Sequence, residues 1–225
     1  MESVYDHHYQ QDGVGSDEVI GNMYITEPPD VLAKFLAEKE SMDQMHPRRP
    51  NQKFQLFATE QVLQSSIAKM DNFSADKAST GFEAINRYAN NLLRQPCPRE
   101  YKVLKTHSGF YQHQIVANLA GAEAMFEAMG YRMLPDQTKM VLDGLIFPHR
   151  IRDVARDAIV AKAECQMMKM VFDRLTDMEL TVNWSDIYSY RELNRLNVEQ
   201  TVQNMAMLIQ EKQHNDLQAY HFELK

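Results

Sequence analysis

Cysteine is nearly absent from this 225-residue chain, with Cys97 and Cys165 as the whole supply. Two thiols exclude a disulfide framework and a cysteine-based zinc site, and they imply a reducing, cytosolic or nuclear setting. No apolar run approaches the ~18 residues needed to span a bilayer. The opening MESVYDHHYQQDG has neither the basic start nor the apolar stretch of a secretory signal. No strand-like alternation persists long enough to predict a sheet, and no repeat recurs at a solenoid period. Catalytic signatures are missing as well: no phosphate-binding lysine motif, no GxSxG elbow, no HExxH and no kinase set. Gly13-Val14-Gly15 lacks the third glycine and the preceding strand of a dinucleotide fingerprint. The adjacent His7 and His8, like His107 and His113, lack the spacing and supporting ligands of a metal site. Basic charge is scarce at one end: residues 1–50 hold ten acids against four bases, a balance of −6 out of the net −7. An acidic head repels phosphate backbones and argues against nucleic acid as a partner.

What is present is helical periodicity. Phe54, Phe57, Ala58, Val62 and Ile67 recur near a helical period up to Met70. Ser79 or Thr80, with Glu83 three residues after Thr80, predicts the cap of a second helix whose buried stripe is Phe82, Ile85, Ala89 and Leu92. Pro96 and Pro98 stop that helix by removing amide donors. Tyr101–Lys105 suits either an extended segment or a helical turn. A helix over Gln112–Met129 would turn Ile115, Leu119, Ala122, Phe126 and Met129 inward, with Gly130 as its left-handed stop. A short strand is expected within Leu142–Phe147. Pro148 then opens a long helix with the stripe Ile151, Val154, Ala158, Ala161, Cys165, Met168, Phe172 and Leu175. A last helix, Tyr190–Lys212, would bury Leu193, Leu196, Val202, Met205 and Ile209. The fold class is all-α.

Polar residues stand at the margin of the second helix. Tyr88 borders its stripe, where a ring packs and a hydroxyl reaches solvent, and Asn91 lies one step farther round with both a donor and an acceptor to offer. On helix geometry alone, a boundary tyrosine and a solvated asparagine are the better explanation. The wider pattern decides for function: Asn91-Leu92-Leu93, then Tyr101-Lys102-Val103-Leu104-Lys105, Ser108-Gly109-Phe110-Tyr111 and Met129-Gly130-Tyr131. This order resembles the PUB domain, a helical peptide-binding module of ubiquitin-pathway proteins and cofactors of the p97 ATPase. The resemblance implies a pocket for a short acidic peptide with an aliphatic-tyrosine core, formed here by Tyr88, Asn91, Tyr101, Lys105, Ser108 and Phe110. In it Lys105 supplies charge and Tyr101 an aromatic wall. His107-Ser108-Gly109 replaces an asparagine-rich turn common in PUB domains, a departure that bears on the ligand more than on the fold.

With Ala161-Lys162-Ala163-Glu164-Cys165 added, the stretch from Phe54 to Leu180 is similar to the spermatogenesis-associated protein 2 family. That similarity implies a PUB-like helical domain over 51–180 (minimal unit 78–150), preceded by a largely disordered acidic tail over 1–50 and followed by a helix and tail over 181–225. It also implies a non-enzymatic cytoplasmic adaptor, with a place at the nucleus or nuclear envelope, in signalling toward Rel/NF-κB-type transcription factors and their nuclear import. An adaptor linking a deubiquitinase, a ubiquitin ligase or a p97-type ATPase is the alternative. The expected partners are proteins, with no nucleic acid, no membrane insertion and no cofactor. Longer family members carry a cysteine-rich zinc module, which two cysteines cannot build, so the chain reads as a short form or a piece. Asp186-Ile187-Tyr188 has the acid-aliphatic-tyrosine order of a docking peptide, although Asp186 could equally cap a helix. Met167 and Met170 fall off the inward stripe and suit a second mode, a helical scaffold that binds through the long helix with a vestigial pocket.

Overall fold

The computed structural model describes residues 53–94, 99–144 and 147–223, with the backbone alone at 99–100 and 216–223. The acidic tail of residues 1–50, with His7-His8 and Gly13-Val14-Gly15, and Pro96-Cys97-Pro98 lie outside the described residues. The elements in order are α1 (Phe57–Lys69), α2 (Ala75–Arg94), a 3-10 turn (Arg99–Lys102), β1 (Val103–Lys105), a π-helical segment (Phe110–Val116), α3 (Glu123–Met129), β2 (Arg132–Met133), β3 (Lys139–Val141), α4 (Pro148–Asp177), α5 (Trp184–Asn194) and α6 (Val198–Glu223). The helical class stands, with a small sheet added.

The core is built around α2 and α4. All four residues of the α2 stripe are buried, joined by Ala78, Ala84 and Tyr88. α4 begins at Pro148, where a missing amide leaves no helical bond unmade. Its small residues Ala155, Ala158 and Ala161 let α2 come close, and Asn86 Nδ2 donates to the Ala155 carbonyl at 2.7 Å. Gly81 makes a second close approach. A Cβ there would lie 2.6 Å from Leu119 Cγ, so only glycine admits the chain that crosses α2.

Two buried carboxylates of α4 tie in the flanking helices. Asp157 accepts from the Gln55 and Leu56 amides at 3.1 and 2.7 Å and from the Thr59 hydroxyl at 3.3 Å. It thereby caps the start of α1, where Leu56 offers no side-chain cap. Glu164 forms a fork-to-fork pair with Arg191 of α5, at 2.6 and 3.1 Å, with Lys53 3.4 Å away. Burial pushes the Glu164 carboxyl up, but the Arg191 guanidinium and the Lys53 ammonium outweigh it and hold the group below its ordinary range.

Several expectations are corrected. α2 starts four residues before Ser79. Ser74 accepts from the Lys77 amide, Ser79 is buried, and the Thr80 hydroxyl donates back to Asp76 O at 3.1 Å, so neither is the cap. Phe57 is 55% exposed, since α1 buries Thr59, Val62, Leu63 and Ser66 instead. The helix expected over 112–129 is two pieces. Ala117 N donates to Gln112 O, the wide π spacing, and Asn118 Nδ2 takes the His113 and Gln114 carbonyls, ending the segment. Gly121, at φ 73°, redirects the chain into α3, and Gly130, at φ 106°, ends it as expected.

A sheet exists where none was expected, in the order β1-β3-β2, both pairings antiparallel. Its strand β3 precedes Leu142, while Leu145 and Ile146 of the expected strand lie outside the described residues. The last helix is split by Arg195, left-handed at φ 49°. α5 buries Ile187, Tyr188 and Arg191, so Leu193 on the opposite side is 83% exposed rather than buried.

Candidate functional site

α2, β1 and the π-helical segment enclose a cleft of about 700 Å³. Its lining includes Tyr88, Asn91, Tyr101, Lys105, Ser108 and Phe110, six residues spread over 23 positions of sequence that the fold brings to one place. Arg87, Val103, Leu104 and Gln114 complete it. Arg87 was not anticipated, although a signal was present: Arg87 and Asn91 are four apart and share a helix face. Gln114 became a neighbour only through the π-helical turn.

Tyr88 is the floor. Its ring stacks on Phe110 at 5.6 Å between centroids and meets Tyr101 at 5.2 Å and Phe126 at 5.5 Å edge to face. The expectation that its hydroxyl reaches solvent is corrected: Tyr88 is 9% exposed, and the hydroxyl bonds Tyr101 O at 3.3 Å and Tyr131 Oη at 3.2 Å. Tyr131 also donates to Tyr101 O. Two phenols therefore converge on one carbonyl at the point where the 3-10 turn becomes β1. Burial pushes both hydroxyls above their usual range, which keeps them protonated as donors at neutral pH.

Ser108 has a structural task in the same wall. It donates to Lys105 O at 2.7 Å and accepts from the Tyr111 amide at 3.3 Å, closing the turn that sets the π-helical segment against α2. Tyr111 in turn donates to Glu123 at 2.8 Å and ties that segment to α3. Asn91, Arg87 and Lys105 are exposed at the rim. No carboxylate lines the cleft, and among the described residues neither Arg87 nor Lys105 makes an ion pair. The cleft thus offers an aromatic floor, two cations and an amide, chemistry suited to an acidic chain carrying an apolar or aromatic residue.

Other candidates resolve differently. Ile187 and Tyr188 are buried inside α5, at 0% and 7% exposure, so Asp186-Ile187-Tyr188 is not an extended docking peptide in this fold. Asp186 instead completes a reciprocal cap. Its amide donates to Asn183 Oδ1 and its carboxylate accepts from Asn183 Nδ2, both at 2.8 Å. Met167 is half-buried, with Sδ 3.3 Å from Arg191 Nη2, whereas Met170 is 44% exposed. Cys165 is buried among apolar side chains, which pushes its thiol up and leaves it a packing residue. Among the described residues no three His, Cys, Asp or Glu side chains converge as metal ligands, and no helix is long and apolar enough to cross a membrane.

Comparison with known proteins gives the same outline. Residues 35–199 match the family described as Spermatogenesis-associated protein 2, PUB-like domain. The protein tamozhennic of Drosophila melanogaster is 36% identical over 192 residues, covering 79% of this chain and 24% of the relative. Spermatogenesis-associated protein 2 of Danio rerio is 26% identical over 121 residues, 53% of this chain and 22% of the relative. Its Rattus norvegicus counterpart is 24% identical over 136 residues, 59% and 26%. The chain therefore spans about a quarter of the length of these curated relatives.

Proposed function

Because the chain belongs to the spermatogenesis-associated protein 2 PUB-like family, we propose that it is a non-catalytic adaptor whose cleft captures an acidic, tyrosine-containing segment of a partner protein. One observation carries the reading: Tyr88, Asn91, Tyr101, Lys105, Ser108 and Phe110 line a single cleft that holds two cations and no acid. The aromatic floor takes the apolar or tyrosyl residue of the ligand, Asn91 orients its backbone or a carboxylate, and Arg87 and Lys105 attract its acidic flanks. The peptide-binding unit comprises residues 51–180, with the cleft inside 78–150. Family resemblance extends the proposal to its setting. The adaptor acts in signalling toward Rel/NF-κB-type transcription factors, regulates their nuclear import, and works in the cytoplasm and at the nuclear envelope.

A second reading uses exposed apolar side chains of α4 and α6. Met170, Met207 and Leu208 are all more than 40% exposed, and adaptable methionines suit capture of a partner helix. Titrating an acidic, tyrosine-containing peptide calorimetrically against the wild type and Asn91→Ala separates the two. The cleft reading expects affinity to fall by about tenfold in Asn91→Ala, the loss of one or two hydrogen bonds. Equal affinity for both proteins would remove Asn91 from the site.

A further inference from the structure

The register of the sheet says how a peptide would lie in the cleft. Among the described residues β1 is an edge strand whose one neighbour is β3. Leu142 N donates to Lys102 O at 2.8 Å and Thr106 N donates to Thr138 O at 3.0 Å. Continuing the register Val103↔Val141, Leu104↔Met140, Lys105↔Lys139, these bonds belong to the pairs Lys102↔Leu142 and Thr106↔Thr138, each two residues from Leu104↔Met140. Hydrogen-bonded pairs alternate with non-bonded ones in an antiparallel ladder, so residues 102, 104 and 106 face β3. The main-chain groups of Val103 and Lys105 point the other way, toward the open edge. The Lys105 carbonyl there is already closed off by the Ser108 amide and hydroxyl, at 3.1 and 2.7 Å. The Val103 N–H, the Val103 C=O and the Lys105 N–H are left on the open side of the strand.

That open edge borders the cleft. Tyr101, Val103, Leu104 and Lys105 all line it, and Val103 is 39% exposed. Leu104 is the exception that fits: its side chain is buried at 5% exposure, on the opposite face from Val103 and Lys105.

We propose that the partner segment binds by strand addition, pairing with β1 to extend the sheet to the order peptide-β1-β3-β2. This inference rests on the peptide-capture reading above and deepens it by assigning the backbone a share of the recognition. Main-chain bonds to the edge supply sequence-independent affinity, and side chains at every second position supply selectivity. The ligand residue beside Val103 is aliphatic or aromatic and the one beside Lys105, two positions away, is acidic. The required signature is therefore an acid and an apolar residue at i and i+2, in an extended segment free of proline at the bonded position. Because Lys105 O is occupied, a single peptide N–H, the one facing Val103 O, finds an acceptor on the edge.

Amide exchange measured by NMR tests this directly. The probe is a blocked nonapeptide with glutamates flanking an Asp-Ile-Tyr centre, at saturation, on the full chain. The Val103 and Lys105 amides are expected to exchange at least tenfold more slowly with peptide bound, while the Leu104 amide, already bonded to β3, changes little. A scan of N-methylated peptides should find one interior residue whose methylation weakens binding about tenfold, with its two neighbours tolerant. If the peptide binds and Asn91→Ala weakens it, but Val103 and Lys105 exchange as fast as before, strand addition is wrong and peptide capture survives. If the peptide does not bind at all, both proposals fall.

Discussion

Tyr88 and Tyr131 are predicted to be coupled through the carbonyl they share, and the size of the coupling follows from their geometry. Tyr88→Phe removes a donor 3.3 Å from Tyr101 O and leaves Tyr131 bonded to it; Tyr131→Phe does the converse. Each single change should cost about 0.5–1.5 kcal/mol, the net worth of one neutral hydrogen bond. The double variant strips both phenols from the carbonyl. An acceptor left unsatisfied adds a desolvation penalty of about 1–3 kcal/mol that neither single variant incurs. The double variant should therefore cost about 1 kcal/mol or more beyond the sum of the singles, worth roughly 2–4 °C in a chain of this size. Urea unfolding followed at Trp184, the sole tryptophan, stacked 4.2 Å from Phe172, reports it. The same variant should weaken acidic-peptide binding, because Tyr101 begins β1 and walls the cleft. Additivity within about 0.5 kcal/mol would refute the shared-acceptor account.

Two further predictions concern the frame around the cleft. Glu164→Gln leaves Arg191 and Lys53 without their common partner and should cost about 3–5 kcal/mol, the usual result of breaking a buried pair from one side. Since the folded Glu164 carboxyl titrates below its ordinary 4.5, the folded state binds fewer protons than the unfolded state between the two values. Its contribution is full above 4.5 and is lost as pH falls through the depressed value, so the gap between wild type and Glu164→Gln should narrow in acid unfolding series. Gly81→Ala places a Cβ 2.6 Å from Leu119 Cγ. Despite better helix propensity it should lose about 1–3 kcal/mol to overpacking, and Leu119→Val in the same chain should recover part of the loss in thermal melts.

Helix stripes were legible because burial repeats every three or four residues: Phe82 to Leu92 and Ile151 to Leu175 read directly from their spacing. The motif around Tyr101–Lys105 gave the cleft residues by resemblance, and the fold brought them together. What periodicity could not carry is local geometry set by tertiary contact. Strands of two or three residues are too short to show alternation, so β2 and β3 were invisible and β1 was only one of two readings of Tyr101–Lys105, whose start is in fact a 3-10 turn. The break between Val116 and Glu123 depends on the Asn118 side chain capturing carbonyls, and the split at Arg195 on a left-handed residue that is not glycine. Tyr88 looked like a boundary residue because its hydroxyl partners, Tyr101 O and Tyr131, arrive from 13 and 43 positions away. Asp186-Ile187-Tyr188 shows the reverse hazard, a plausible short motif absorbed by a helix cap and a core.

The central claim is that partners enter between α2 and β1. Its most direct test is a chemical-shift map of the backbone amides during titration with the blocked acidic nonapeptide. The account predicts saturable changes confined to Arg87, Tyr88, Asn91, Tyr101 to Lys105, Ser108, Phe110 and Gln114, with α6 silent. Changes centred on Met170, Met207 and Leu208, with the cleft unmoved, would contradict it.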